Sequence, residues 1–190
     1  TVRQFKEMAD QAADYISTID KLSVTTGLSS EELQRYSNVA RYADGDIESL
    51  AMMMNKLQLN LMDTGTAGEE ARAILDQMGI SYKNADGSLR SMNEIFPEVI
   101  EGIKNLSSSG DRVTASNALV GRSYQSLAGY IELGKDGIEE YYTTANTLTE
   151  EQQNKLRDYE GAVKDLDATM QNLNQTVGAD LSGSFAEWAD

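Results

Sequence analysis

The chain has 190 residues, with 16 basic side chains against 31 acidic ones, a net charge of −15, and neither His nor Cys. The missing residue types exclude disulfides, thiolate or imidazole metal sites, and catalysis by Cys or His. A surface this acidic repels phosphate, which argues against nucleic acid as a partner and against membrane binding through anionic lipid.

Hydrophobic residues make up 40% of the chain, enough for a packed core, and a single Pro leaves long helices unbroken. No signal peptide or membrane-length apolar run stands out. The chain opens on Thr1 and closes around Phe185, Trp188 and Asp190, which reads as a piece of a longer protein.

The first helix is predicted from Val2 to Leu22. Val2, Phe5, Ala9, Ala12, Ile16 and Ile19 step by three and four, and Met8, Tyr15 and Leu22 widen the stripe. Thr25, Thr26 and Gly27 break it. Ser29 then caps a second helix, with Glu32 bonding back and Leu28 stapling against Leu33, and that helix ends near Ala43. Asp44-Gly45 turns the chain into a third helix, about Asp46 to Met62, with Ile47, Leu50, Met54, Leu57 and Leu61 on one face. The methionines around it read as core filling, with an adaptable binding groove as the other option.

Thr66 and Glu69 fit a capping box for a fourth helix that Ile74, Leu75 and Met78 carry to Gly79. The stretch from Gly79 to Ser91 is the one convincing non-helical element. Ile80 and Tyr82 read as a short strand, Asn84 to Gly87 as a turn, and Leu89 as the return strand. Ile80, Tyr82 and Leu89 are expected to bury against the next helix, with Lys83 and Asp86 in solvent. Ser91 and Glu94 cap that helix, which carries Ile95, Phe96, Val99, Ile100, Ile103 and Leu106, with Pro97 near its start.

Ser107 to Gly110 reads as a joint. A helix through Val113, Ala115, Ala118 and Leu119 follows and stops at Gly121. Arg122-Ser123 opens another with Tyr124, Leu127, Ala128, Ile131 and Leu133, and Gly134 to Gly137 is a corner before Ile138 to Asn146. Thr149 and Gln152 cap the last helix. Its seam is strict: Leu156, Val163, Met170 and Val177 share one heptad position, and Tyr159, Leu166 and Leu173 the other. From Thr149 to Val177 it would be roughly 40 Å long. Two occupants are open for this seam: the first helix folded back antiparallel, or a copy or partner.

The predicted fold is all-α: a multi-helical domain with one small β-hairpin at about 80–90 and a long C-terminal heptad helix. Its organisation is a compact domain over 1–148, the heptad helix over 149–178 and a tail over 179–190. Asn84 to Gly87 faintly matches a calcium loop, but Tyr82 and Asn93 stand at the two anchoring carboxylate positions. Glu139-Glu140 and Glu150-Glu151 are adjacent on helices and point apart. Ser123 follows Gly121, but Gln125 stands where a nucleophile elbow needs Gly, and no His is present to activate a serine. No catalytic constellation, cofactor motif or metal set emerges, so the chain is expected not to be an enzyme. The seam Leu156, Tyr159, Val163, Leu166, Met170, Leu173 and Val177 is the candidate interaction site.

Four segments in order resemble a phage tail tape measure protein. Thr26-Gly27-Leu28-Ser29-Ser30-Glu31-Glu32-Leu33-Gln34 resembles that family's entry into an EELQ helix. Met78-Gly79-Ile80 through Asp86-Gly87-Ser88-Leu89-Arg90 resembles its LGI then DGxLR passage. Ala118 to Ser123 is similar to its LFGRS helix break, with Val120 for the usual Phe and Tyr124 where a small residue is common. Gly134 to Glu140 is similar to its GxxGI corner. Together they span roughly Leu22 to Leu173. The resemblance implies a structural virion protein, encoded by a bacteriophage or prophage, that sets tail length during viral tail assembly and fills the tube until DNA ejection. It implies a location in the virion tail, and in the bacterial host cytoplasm during assembly. The implied partners are the tail tube protein, tail assembly chaperones and tail tip proteins, with a homo-oligomer through the heptad helix left open. The alternatives are a tail-associated cell-wall-degrading segment, which needs two converging carboxylates, and a generic bacterial helical surface or interaction module.

Overall fold

The computed structural model describes the backbone of residues 2–188 and the side chains of residues 3, 4 and 6–172. It is all-α. The helices are α1 (Val2–Thr26), α2 (Ser30–Tyr42), α3 (Ile47–Met62), α4 (Thr66–Gln77), α5 (Met92–Lys104), α6 (Ser109–Val120), α7 (Ala128–Thr143) and α8 (Glu150–Trp188), with a 3₁₀ segment over Gly121–Leu127. The chain divides into two units. One holds Thr1–Thr18 with Thr149–Asp190, and the other holds Ile19–Leu148.

In the second unit α5 sits at the centre, packed against α7, α6 and α3, while α2 lies on α7 and α3, and α4 on α3 and α6. Ile95, Phe96, Ile100 and Ile103 of α5 lose all contact with solvent. Each such side chain contributes about 1.5–3 kcal/mol by leaving water. Two tyrosines flank Phe96 edge-on, Tyr36 of α2 at 6.4 Å and Tyr130 of α7 at 5.9 Å between ring centroids. On α3 the expected stripe is buried together with Ala51, Met53 and Asn60. Its methionines divide: Met53 and Met54 fill the core, whereas Met52 and Met62 face solvent.

Local chemistry sets the helix ends. Ser29 and Glu32 form a full capping box on α2, and Ser91 and Glu94 form one on α5. Asp46 caps α3 by accepting from the Ser49 N–H at 2.7 Å. The box expected from Thr66 and Glu69 does not form, because α4 begins at Thr66 and its N-cap is Gly65. The α4 entry instead lies against the Asp63 backbone, where Gly68 leaves no room for a Cβ. The Asp63 carboxylate accepts from Gly65 N–H at 3.0 Å, and Arg72 donates to the Asp63 carbonyl at 2.6 Å. The joint before α6 is shorter than expected, since Ser108 caps that helix from Asp111 N–H at 2.9 Å.

Gly79 ends α4 in a Schellman arrangement. At φ 71° it lets Ile80 N–H reach the Leu75 carbonyl at 2.9 Å and its own N–H reach Asp76 at 3.0 Å. The following segment contains no named strand among the described residues. One antiparallel bridge, Lys83 to Leu89, closes the turn, with Arg90 N–H to Tyr82 O and Asn84 N–H to Ser88 O at 2.9 Å each. Asp86 accepts from the Ser88 N–H and hydroxyl, so its carboxylate stabilises the turn. Ile80 is buried and lies with Met78 over Gly102 of α5, while Tyr82 and Leu89 are only half-buried and Lys83 and Asp86 are exposed. A pair this short has too few ladder bonds to count as a sheet, and packing on α5 holds it.

Two features of α5 and α7 escape simple periodicity. Pro97 is the sixth residue of α5, past the turn where a missing donor costs nothing, so the Asn93 carbonyl loses its helical partner. The Tyr36 hydroxyl faces that gap, 2.9 Å from Asn93 Oδ1 and 3.3 Å from its carbonyl oxygen. The corner at Gly134 interrupts α7 with φ 67° and ψ −175°, a region only glycine occupies easily. Glu101 accepts from Lys135 N–H at 3.0 Å and Lys104 donates to the Glu132 carbonyl at 3.3 Å. Thus α5 caps both helical halves with the charge sign that each end favours.

Candidate functional site

The seam lies on α8, which begins with a reciprocal cap. Thr149 N–H donates to Gln152 Oε1 at 2.9 Å, and Gln152 N–H donates to Thr149 Oγ1 at 3.3 Å. No Pro interrupts it, and Lys155–Glu151 and Lys164–Glu160 pair one turn apart on its flanks.

Seam residues fare differently along its length. Leu156, Tyr159 and Val163 are half-buried, while Leu166 is 61% and Met170 49% exposed. Leu173 and Val177 lie outside the described side chains, as do Val2 and Phe5 of the α1 stripe. Within the same unit the Tyr159 hydroxyl donates to Asp10 Oδ1 at 2.6 Å, and Lys6 donates to Asp10 Oδ2 at 2.8 Å. Asp167, farther along α8, adds its charge to the field at Lys6, so the two helices run antiparallel. Lys6 and Tyr159 together hold the Asp10 carboxyl below its ordinary range, and Asp10 in turn raises the Tyr159 phenol. Asp10 is the residue that heptad reasoning missed. Its only sequence signal is the Lys6-to-Asp10 spacing, which says nothing of Tyr159.

A second concave surface lies in the other unit. Its walls are α5 and α7, and Tyr36 of α2 closes one side. The cleft holds about 420 Å³ and is lined by groups that include Arg90, Asn93, Glu94, Pro97, Glu98, Lys135, Ile138, Glu139 and Tyr142. Arg90 grips Glu98 through two parallel bonds of 2.9 Å and reaches the Ser81 carbonyl with the same guanidinium. That grip holds the Glu98 carboxyl below its ordinary range and raises Arg90. Glu94, Glu98 and Glu139 all line this cleft. A glycosidase acid, however, must stay protonated near neutral pH, and Glu98 is tuned the opposite way. Glu139 lines the cleft, whereas Glu151 is occupied with Lys155.

Among the described residues no cluster of three or more acidic side chains is placed to hold a metal ion, and no helix is long and apolar enough to cross a membrane. Comparison with protein-family models, with curated proteins and with solved structures finds no match.

Proposed function

We propose that this chain is a structural segment of a phage or prophage tail tape measure protein. Four motifs in family order along one chain carry this reading, beginning at Thr26-Gly27-Leu28 and ending at Gly134 to Glu140. The α8 helix, 39 residues without a proline, supports it as well. A helix rises by a fixed ~1.5 Å per residue, so helical length can serve as a measure. An acidic surface would also release the DNA that later follows the same channel. The tail tube protein, assembly chaperones and tail tip proteins are the proposed partners, and no chemistry is assigned to the segment.

The open part of the seam, at Leu166 and Met170, is proposed to take a second copy. The decisive experiment is removal of one heptad, residues 163–169, in the full-length gene. The expected result is a tail shorter by about 10 Å, read as a population mean by electron microscopy. Tails of unchanged mean length would remove the measuring role from this helix.

A further inference from the structure

We propose that the cleft between α5 and α7 binds a small zwitterion, an amino acid or short peptide carrying both a free ammonium and a free carboxylate. This goes beyond the structural role above and does not depend on it. The argument starts from size. About 420 Å³ accommodates one or two amino-acid residues. The floor is apolar: Pro97 and Ile138 are buried beneath it, and the half-buried Tyr142 ring forms part of one side.

The charges on the rim differ in how firmly they are held. Arg90 and Glu98 are locked together by two short bonds and act as a fixed wall. Lys135 stands 3.7 Å from Glu139, and Glu94 stands 3.9 Å from Arg90 Nε. Both separations exceed hydrogen-bond length, so these ions feel each other's charge without sharing a proton, although Glu94 Oε2 also accepts from the Ser91 N–H at 3.3 Å as part of the α5 cap. Glu94 and Glu139 are each more than half exposed, and Lys135 is 41% exposed. The two carboxylates come from opposite walls, and the lysine stands beside one of them.

A ligand of a single sign meets one of these groups as a repulsive neighbour. A zwitterion does not. Its ammonium fits between Glu94 and Glu139, its carboxylate turns to Lys135, and its side chain covers Pro97, Ile138 and the Tyr142 ring. The Asn93 amide and Thr143 hydroxyl line the same space but are engaged within the protein, Asn93 Oδ1 accepting from Tyr36 and Thr143 Oγ1 donating to the Glu139 carbonyl at 2.8 Å. The ligand's charged ends therefore carry its recognition.

Calorimetric titration of the whole chain with the dipeptide Gly-Leu tests this, alongside N-acetyl-Gly-Leu, Gly-Leu amide and the doubly blocked dipeptide. The expected result is saturable binding of Gly-Leu that weakens at least tenfold when either terminus is blocked. Glu139→Gln should reproduce the loss seen on acetylation, and Lys135→Gln the loss seen on amidation. Glu140→Gln, next in sequence and outside the cleft lining, should leave binding unchanged, and circular dichroism checks that each variant is folded. The proposal is overturned if Gly-Leu shows no heat at millimolar concentration, if the blocked forms bind as well as the free one, or if only one terminus matters. The last outcome would make the cleft a simple anion or cation site.

Discussion

Tyr36 and Tyr130 flank the same phenylalanine, and replacing each with Phe should move stability in opposite directions. The Tyr36 hydroxyl stands 2.9 Å from Asn93 Oδ1 and 3.3 Å from the carbonyl that Pro97 leaves open. Tyr36→Phe removes that donor, and losing a partly buried hydrogen bond costs about 1–2 kcal/mol. Tyr130 is 1% exposed, and its hydroxyl has no hydrogen-bond partner among the described residues. Its desolvation is uncompensated, and burial together with the charge of Asp46 raises its phenol. Tyr130→Phe should therefore stabilise the chain by about 1 kcal/mol. Thermal and urea unfolding followed by circular dichroism reads both, at about 4 °C per kcal/mol for a unit of this size. Pro97→Ala adds a control by restoring an N–H to the Asn93 carbonyl. The Tyr36→Phe penalty should then shrink by about 0.5–1 kcal/mol. Equal penalties for the two tyrosines, or strict additivity of Tyr36→Phe with Pro97→Ala, would refute the assignment of that hydroxyl to the proline gap.

Glu98→Gln should cost about 1 kcal/mol at neutral pH through loss of the paired bonds to Arg90. Because the folded chain lowers the Glu98 carboxyl, its contribution is present above the ordinary Glu value and lost as pH falls through the folded one. The wild-type chain should thus lose more stability on acidification than the variant, measured by urea melts from pH 7 to pH 3. Gly134→Ala should destabilise by about 1–3 kcal/mol, since ψ −175° at positive φ strains any side chain and the new Cβ approaches Lys104 Nζ at 2.5 Å. Leu166→Glu with Met170→Glu should leave the melting temperature within about 2 °C and abolish self-association in sedimentation velocity. An unchanged sedimentation profile across concentration would count against the seam as an interface.

Much of this architecture was legible because the signals are local. Ser29 with Glu32, Ser91 with Glu94 and Thr149 with Gln152 cap their helices through groups three residues apart, so no tertiary information is needed. Gly79 and Gly134 likewise announce their turns. Distant backbone cannot be read this way. Thr66 and Glu69 have the letters of a cap, yet the approach of Asp63 to Gly68 moves the helix start. Tyr36 and Tyr130 do not figure in the expected stripes, and the burial of both depends on what Phe96 and Asn93 present from another helix. Along the seam, period alone gave equal weight to Val163 and Leu166, although one is half-buried and the other exposed. Spacing fixes which face is apolar, and tertiary structure decides how much of it is covered.

One contact near the end of the larger unit has a mechanical consequence. Leu148 N–H donates to Gln34 Oε1 at 2.8 Å, and Gln34 lies five residues past the cap of α2. The exit of that unit is thus tied within about 8 Å, along the α2 axis, of where that helix begins. Most of the chain between them is stored contour length that adds little end-to-end reach while the clasp holds. Gln34 Nε2 is buried without a partner among the described residues, which makes the clasp a weak one for so enclosed a side chain. Shortly before Leu148 in the chain, the Tyr142 carbonyl accepts from Arg35 at 3.2 Å and the Tyr141 carbonyl from Asn38 Nδ2 at 2.7 Å, so tension across Gln34 and Leu148 would be shared with the packing of α2 on α7.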